Sequence, residues 1–173
     1  LLLSNAQRMA RLVVNFRRLS VGSPGEARRR FDLRECLDDT LRDLKPRLDE
    51  AGVALRPDAP AGVEMESYPV ALAQVVTNLA VNGLQHAFAP GHPGSIELTA
   101  RLGEDDQVRL RCADDGVGIE PALRGRIFEP FFTTRRMFGG TGLGLYIVHR
   151  LVTRQLGGSI ALDAACARGT AFE

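Results

Sequence analysis

The chain has 173 residues, with 22 basic and 21 acidic side chains and a formal net charge of +1. This length corresponds to a single domain that can bury a hydrophobic core, and the balanced charge argues against a surface built to bind nucleic acid. The 3 cysteines are widely spaced and form no C-x-x-C pair, so we expect reduced thiols in a cytoplasmic protein.

The stretch 67–96 contains no charged residue and could be considered as a membrane span. Pro69 and the amides of Gln74 and Gln85 interrupt it, and such polar groups are costly in lipid. We therefore expect no membrane contact by this chain. The opening leucines lack a cationic segment and a cleavage site, so no signal peptide is predicted either.

Residues 1–20 carry apolar side chains at helical spacing, including Met9, Leu12, Phe16 and Leu19. No capping residue precedes this pattern, so it predicts the last part of a longer helix whose partner lies outside the chain. The sequence VGSPGEA at residues 21–27 has the composition of a turn and predicts a boundary, which separates residues 1–22 from residues 23–173.

The second part of the chain predicts alternating helices and short strands. Helices are predicted at 34–51, 69–86 and from 143 to 156, and strands at 30–33, 53–56, 63–66, 94–102, 107–112, 159–164 and 169–172. The acidic turn 104–106 joins two alternating segments, which predicts an antiparallel hairpin. Together these elements predict an α+β fold in which helices cover one face of a sheet.

A glycine-rich segment, GGTGLGL from Gly139 to Leu145, opens the last predicted helix. A helix start offers unpaired N–H groups and the positive end of the dipole, and glycines let a phosphate approach the backbone. Glycines at this position can also serve packing alone. A P-loop would require lysine after the glycines, but the chain's single lysine is Lys45, and no strand directly precedes the segment as a dinucleotide fold requires.

The helix predicted at 69–86 places Gln74, Asn78, Asn82 and His86 four residues apart, so these side chains form one polar stripe. Asparagine is a poor helix former, which favours a ligand site over a solvated face. The alternative is a stripe that hydrogen-bonds a neighbouring loop.

Two further segments contain candidate binding residues. The sequence DDGVGI from Asp114 to Ile119 follows a strand, where a carboxylate can accept a hydrogen bond from the amino group of adenine. By itself, an ordinary acidic turn is the favoured interpretation. The phenylalanine-rich segment 127–136 is more typical of core packing, and it ends in Arg135 and Arg136, which could neutralise a triphosphate or be solvated.

The order of these segments resembles the catalytic, ATP-binding domain of sensor histidine kinases. The matching stretches are QVVTNLAVNGLQHA, DDGVGI, IFEPFFTT, GGTGLGLYIV and the closing Gly-Thr-x-Phe, so the resemblance covers residues from about 67 to the C-terminus. Residues 1–22 are similar to the end of the second dimerisation helix. The resemblance implies a Bergerat-type fold for residues 23–173: a two-layer α/β sandwich, with about three helices on one face of a mixed, mostly antiparallel sheet.

The resemblance also implies roles for individual residues. Asn82 would hold Mg²⁺ against the phosphates of ATP, with Asn78 in support one turn earlier. Asp114 would bind the adenine amino group, and Arg135, in a short lid at about 133–139, would meet the phosphates. The other implied contacts are His86, Thr133, Thr170, Gly116, Gly118, Gly140, Thr141, Gly142, Leu143 and Gly144. For His86, an ordinary histidine on the helix surface is an equal alternative.

The phosphoacceptor of this family, a histidine followed by an acidic residue, has no match in the chain. The 3 histidines are His86, His92 and His149, and none precedes an acidic residue or lies in residues 1–20. The resemblance therefore implies transfer of the γ-phosphate to a histidine outside this chain, for relay to a response regulator. The full-length protein would be a homodimer, and whether it has an inner-membrane anchor is left open.

The residue at position 78 argues against an ATPase reaction in which water accepts the phosphoryl group. Gyrase-like and mismatch-repair ATPases carry a glutamate at the position of Asn78 to activate water, and an asparagine cannot take a proton at neutral pH. Efficient hydrolysis is therefore not expected.

The alternatives to a histidine kinase are a degenerate nucleotide-binding module and a serine-directed anti-sigma-factor kinase; the helix at 1–20 disfavours the latter.

Overall fold

A computed structural model describes residues 26–89, 91–103, 107–136 and 140–173. The helix predicted within residues 1–20, the acidic turn 104–106 and the lid residues Met137 and Phe138 lie outside the described residues. The boundary between residues 22 and 23 lies outside them as well and stays a prediction.

Among the described residues, six strands form two sheets. The strands are β1 (Arg29–Asp32), β2 (Val53–Asp58), β3 (Glu64–Ser67), β4 (Gly94–Leu102), β5 (Val108–Asp114) and β6 (Thr170–Phe172). The larger sheet has the order β2-β4-β5-β6; β2 is parallel to β4, and the other neighbours are antiparallel. β1 and β3 form a separate antiparallel pair. The mixed, mostly antiparallel sheet and the predicted hairpin are confirmed.

In the described part of the chain, three helices contribute to one core with the larger sheet: α1 (Leu33–Glu50), α2 (Pro69–His86) and α3 (Gly144–Arg150), which continues as a π-helix over Leu151–Leu156. The buried side chains of β4, Ile96, Leu98 and Ala100, alternate with the more exposed Glu97 and Thr99. Because successive side chains of a strand point to opposite faces, this alternation means that one face of the sheet packs on the helices. The predicted α+β fold is confirmed.

The first helix follows directly from its sequence. The side chain of Asp32 accepts a hydrogen bond from the backbone N–H of Glu35 at 2.9 Å, which caps the helix start. Leucines at helical spacing form its buried face: Leu33, Leu37, Leu41, Leu44 and Leu48. Burying each of these side chains contributes about 2 kcal/mol, so this face fixes the position of α1 on the sheet.

The second helix has no cap of its own. Tyr68 precedes it without a side-chain hydrogen bond, and its first turn contains no acidic residue. The carboxylate of Glu26 supplies the missing acceptor, since Oε1 accepts from the backbone N–H of Val70 at 2.6 Å and Oε2 accepts from Nε2 of Gln155 at 3.0 Å. Glu26 therefore links the start of α2 to the π-helical turn after α3.

We expect Glu26→Ala to lower the free energy of unfolding by about 1 kcal/mol, because the substitution leaves the start of α2 uncapped. Urea denaturation measures this loss. Glu64→Ala, which removes an exposed carboxylate from β3, is the matched control and should change stability by less than about 0.5 kcal/mol. Equal effects of the two substitutions would contradict the assigned cap.

Two parts of the fold differ from the prediction. The strand predicted at 159–164 is instead an irregular segment with a single bridge between Leu162 and Phe172. Because β6 has only three residues, the ladder beside it is short, and Ala161 and Glu173 exchange the last backbone hydrogen bonds. A 3₁₀ helix at Pro121–Arg126 was not predicted, since it buries none of its residues and so has no apolar period.

The predicted end of the last helix is confirmed. Gly157 caps it with a φ of 73°, in the left-handed region that favours glycine. The π-helical geometry of its last six residues was not anticipated, because an apolar stripe does not distinguish one hydrogen-bonding pattern from the other. Within the described ranges, no helix is both long and apolar enough to cross a membrane.

Candidate functional site

A cavity of about 770 Å³ lies between α2, the end of β5, the 3₁₀ helix, the phenylalanine-rich segment and the start of α3. All but two of the predicted site residues line it: Asn78, Asn82, His86, Asp114, Gly118, Thr133, Arg135, Gly140, Thr141, Gly142, Gly144 and Thr170. Segments that are far apart in sequence therefore converge on one space. Its volume lies in the range of cavities that hold small ligands.

Gly116 and Leu143 do not line this cavity. A Cβ on Gly116 would lie 2.5 Å from the Cβ of Ala87, so the missing side chain lets the segment after β5 pack on the end of α2. Leu143 is 1% exposed and packs its side chain inward. Both positions have a clear packing function in the structure, and their contact with a nucleotide stays a prediction.

The polar stripe of α2 faces the cavity, while the opposite side of the helix is buried in the core. The amide nitrogen Nδ2 of Asn78 is buried and has no hydrogen-bond partner among the described residues. A buried donor without an acceptor costs about 1–3 kcal/mol, and native structures rarely leave one unless a water or a ligand completes it. The buried Nδ2 of Asn78 is therefore a donor that an acceptor atom of a water or a ligand in the cavity would complete.

Asp114 ends β5 at the inner edge of the cavity. Its Oδ1 accepts from the backbone N–H of Gly116 at 3.0 Å and of Thr170 at 3.2 Å. Burial raises the pKa of this carboxyl group, and the hydrogen bonds from Gly116 and Thr170 oppose the increase. These two bonds fix the carboxylate through one oxygen, which leaves the other oxygen free of backbone donors within the described residues and able to accept from a ligand.

The adjacent carboxylate has a different environment. Asp115 accepts a hydrogen bond from the backbone N–H of Ser95 at 2.7 Å, and this bond lowers its pKa. It does not line the cavity. Asp115 therefore fastens the end of β5 to β4, whereas Asp114 is the carboxylate presented to the cavity.

The glycines at the start of α3 differ in what surrounds them. Gly142 has a φ of 67°, and a Cβ there would lie 2.7 Å from the carbonyl oxygen of Phe131. A Cβ on Gly144, by contrast, would meet nothing within 4 Å. Leu143 provides no side-chain cap, so the backbone N–H groups of the first helical turn are open to an anion.

The lid side of the cavity contacts the end of α2. Nδ1 of His86 lies 3.3 Å from the hydroxyl oxygen of Thr134, and Nη2 of Arg135 lies 3.5 Å from the carbonyl oxygen of Phe88, to which it donates. Burial, and secondly the charge of Arg135, lowers the pKa of His86. A neutral imidazole is thus favoured there before a ligand binds.

The phenylalanines of this segment have two environments. Phe128 and Phe132 pack against the core, as the sequence indicates. Phe131 is 52% exposed and has a φ of 65°, which is a strained backbone conformation for a bulky residue. The core interpretation is therefore correct for two of the three side chains.

The family of "Histidine kinase-, DNA gyrase B-, and HSP90-like ATPase" domains matches residues 67–173. The chain belongs to this family. Sensor histidine kinase AruS from Pseudomonas aeruginosa is 37% identical over 153 residues, which cover 82% of the chain and 15% of AruS. The chain is therefore a histidine kinase catalytic, ATP-binding domain that spans a small part of such a relative's length.

Solved structures agree with this assignment. The catalytic domain of histidine kinase ThkA superposes on this ATP-binding domain with a TM-score of 0.69 at 26% identity, covering 83% of the chain and 92% of that domain. Full-length ShkA, crystallised in complex with AMPPNP, gives a TM-score of 0.73 at 29% identity over 92% of the chain and 33% of its own. The Bergerat-type fold is confirmed.

Several cavity residues were not identified from the sequence as site residues. Thr134 was passed over within the phenylalanine-rich segment, although its hydroxyl lies next to His86. Leu123 belongs to the unpredicted 3₁₀ helix, and Arg47 lies on α1, which gave no sign of a binding function. No local pattern marks these residues, because only the packing of distant segments brings them to the cavity.

Proposed function

We propose that this domain binds ATP with Mg²⁺ and transfers the γ-phosphoryl group to a histidine on a dimerisation helix outside the chain, for relay to a response regulator. The observation that carries the proposal is the amide of Asn78 in the cavity, whose Nδ2 has no hydrogen-bond partner among the described residues. Hydrolysing members of the superfamily resemble this domain but carry a glutamate base at that position. An amide cannot deprotonate water, so an external nucleophile is favoured over hydrolysis.

The donor set of the cavity fits Mg²⁺ rather than a metal held by the protein alone. Among the described residues, no group of three or more His, Cys, Asp or Glu side chains could hold a metal ion. Mg²⁺ typically takes one or two protein oxygens and completes its shell with phosphates and water. The amide oxygen of Asn82, one turn after Asn78, is the proposed protein ligand. When bound, the ion would offset the charge of the phosphates.

Other residues of the cavity would bind the adenine and the phosphates of ATP. The free oxygen of Asp114 accepts from the adenine amino group, with Thr170 holding the carboxylate in place. The open N–H groups at Gly144 bind phosphate oxygens, and Arg135 exchanges the carbonyl of Phe88 for a phosphate. The incoming imidazole is itself a nucleophile, so the domain has to position the γ-phosphate and offset its charge.

Two glycines of the glycine-rich segment at the start of α3 are expected to respond differently to substitution by alanine. We expect Gly144→Ala to unfold within about 2 °C of the unmodified chain and to bind ATP about tenfold more weakly, because its Cβ enters open space where phosphate would lie. Gly142→Ala should instead lower the melting temperature, since its Cβ would meet the carbonyl of Phe131. Thermal unfolding and nucleotide titration together separate the two. A lower melting temperature and an unchanged ATP affinity of Gly144→Ala would contradict the proposed phosphate contact at this glycine.

The phosphotransfer itself is tested with the full-length protein, dimerisation helices included. Incubation with γ-labelled ATP and Mg²⁺ should produce an acid-labile, base-stable phosphohistidine, and adding a response regulator should transfer the label to it. A full-length protein that binds ATP but forms no phosphohistidine would favour the degenerate binding module. An acid-stable label would indicate a serine-directed kinase. We also propose that the domain works in the cytoplasm as part of a homodimer.

A further inference from the structure

The cavity contains a second arginine that neither the sequence pattern nor the proposed roles include. Arg47 lies in the last turn of α1 and is the one described residue of that helix that lines the cavity. It is exposed, and no hydrogen bond or ion pair joins its guanidinium to another described residue. Its neighbours on α1, Arg42 and Lys45, by contrast, pair with Asp39 and Asp49.

The packing of the helices places Arg47 beside the polar stripe. Sγ of Cys36, near the start of α1, lies 3.7 Å from the carbonyl oxygen of Pro69 at the start of α2. The strands that follow the two helices, β2 and β4, are parallel, so α1 and α2 run in the same direction. Arg47 is 11 residues beyond Cys36, and 11 residues beyond Pro69 is position 80. Measured along the two helices, Arg47 therefore lies at about the same height as the segment between Asn78 and Asn82.

Asp114, the proposed adenine contact, and Arg47 reach the cavity from different neighbours of α2. A Cβ on Gly83 would lie 3.9 Å from the Cβ of Asp114, so Asp114 approaches α2 from the side of β5. Arg47 approaches the cavity from the side of α1. A nucleotide whose adenine meets Asp114 and whose phosphates cross Asn82 therefore points its terminal phosphate toward Arg47.

The charges at the two ends agree with this direction. Among the described residues that line the cavity, the carboxylates are Asp114 and Glu120, which belong to β5 and the segment that follows it. Arg47 has no ion-pair partner among the described residues, and Nδ2 of Asn78 is a buried donor without an acceptor among them. An anionic ligand in the cavity would satisfy the buried donor of Asn78 and would give the exposed guanidinium of Arg47 a charged partner.

Resting on the proposed function, we infer that Arg47 contacts the γ-phosphate of bound ATP and so makes the domain prefer ATP to ADP. The guanidinium would add a second positive charge beside the terminal phosphoryl group, in addition to the contact proposed for Arg135. Arg47 thus adds a positioning contact that ADP cannot make, because ADP lacks the γ-phosphate.

The test is a titration of the chain with a non-hydrolysable ATP analogue and, separately, with ADP, both with Mg²⁺. We expect Arg47→Gln to weaken binding of the ATP analogue by about fivefold and to change ADP binding by less than about twofold. Arg42→Gln removes the same charge from the same helix away from the cavity, and it should leave both affinities unchanged. Arg47→Lys should retain part of the preference, since it keeps the charge but not the planar fork.

Three outcomes would overturn the inference. Equal weakening of both nucleotides would mean that Arg47 supports the fold or the nearer phosphates. Unchanged affinity for both would mean that it faces solvent or a partner's carboxylate. A similar loss in Arg42→Gln would mean that only net charge matters. If the unmodified chain binds neither nucleotide while folded, the proposed function itself fails, and the inference fails with it.

Discussion

Asp114→Asn should reduce the affinity of the domain for ATP by about a hundredfold or more. The carboxylate accepts from the backbone N–H groups of Gly116 and Thr170 through Oδ1, and we propose that its second oxygen accepts from the adenine amino group. The side-chain oxygen of an asparagine can still accept from the two backbone N–H groups. Its NH₂ group then faces the adenine amino group, which is also a donor. The result is an unpaired, repulsive contact at a half-buried position of the cavity.

A nucleotide analogue provides the matched control for this substitution. Inosine triphosphate carries a carbonyl oxygen where ATP carries the amino group, so the unmodified chain should reject it. The Asp114→Asn domain should bind it at least as well as it binds ATP, because the new NH₂ group can donate to that oxygen. Loss of both nucleotides, with the circular dichroism of an unfolded protein, would instead show that Asp114 serves mainly to join β5 to β6.

Asn82→Ala should abolish the effect of Mg²⁺ on ATP affinity and lower the rate of phosphotransfer in the full-length protein by about 10³. The substitution removes the amide oxygen that we propose as the protein ligand of the metal. Affinity is compared with Mg²⁺ and with a chelator, and the rate follows from the labelled phosphohistidine. Since alanine is a better helix former than asparagine, α2 should remain intact.

Asn82→Asp keeps the shape of the side chain and tests whether an oxygen at this position is sufficient for the Mg²⁺ dependence of binding. It keeps an oxygen at the same position and adds a negative charge, so binding should still depend on Mg²⁺ and become weaker without it. If Asn82→Ala kept the full Mg²⁺ dependence, the metal would be held elsewhere in the cavity. Asn78, one turn earlier, would then be the first position to test.

The sequence predicted the elements whose signals are local. The leucines of α1, the alternation in β4 and the left-handed cap at Gly157 are each dictated by a periodicity or by a single conformational preference. The stripe on α2 was identified for the same reason. The combination of segments, rather than any one of them, indicated the ATP-binding fold.

Features that depend on contacts between distant segments were not predictable from the chain alone. The capping of α2 by Glu26 joins residues that are 44 positions apart, and no pattern near Pro69 announces it. Arg47 is an ordinary arginine in the last turn of a helix until the packing of α1 beside α2 brings it to the cavity. Gly116 was predicted as a nucleotide contact, and the structure adds a packing function that the sequence did not distinguish from it, because both uses require the same missing side chain.

A calorimetric titration of the unmodified chain with a non-hydrolysable ATP analogue, with Mg²⁺ and again with a chelator, measures directly whether the cavity binds Mg²⁺ and ATP. We predict one binding site per chain, with markedly tighter binding in the presence of Mg²⁺. No heat of binding from a chain whose circular dichroism shows a folded α+β domain would contradict the assignment of the cavity to Mg²⁺ and ATP. Equal affinity with and without the metal would contradict the role proposed for Asn82.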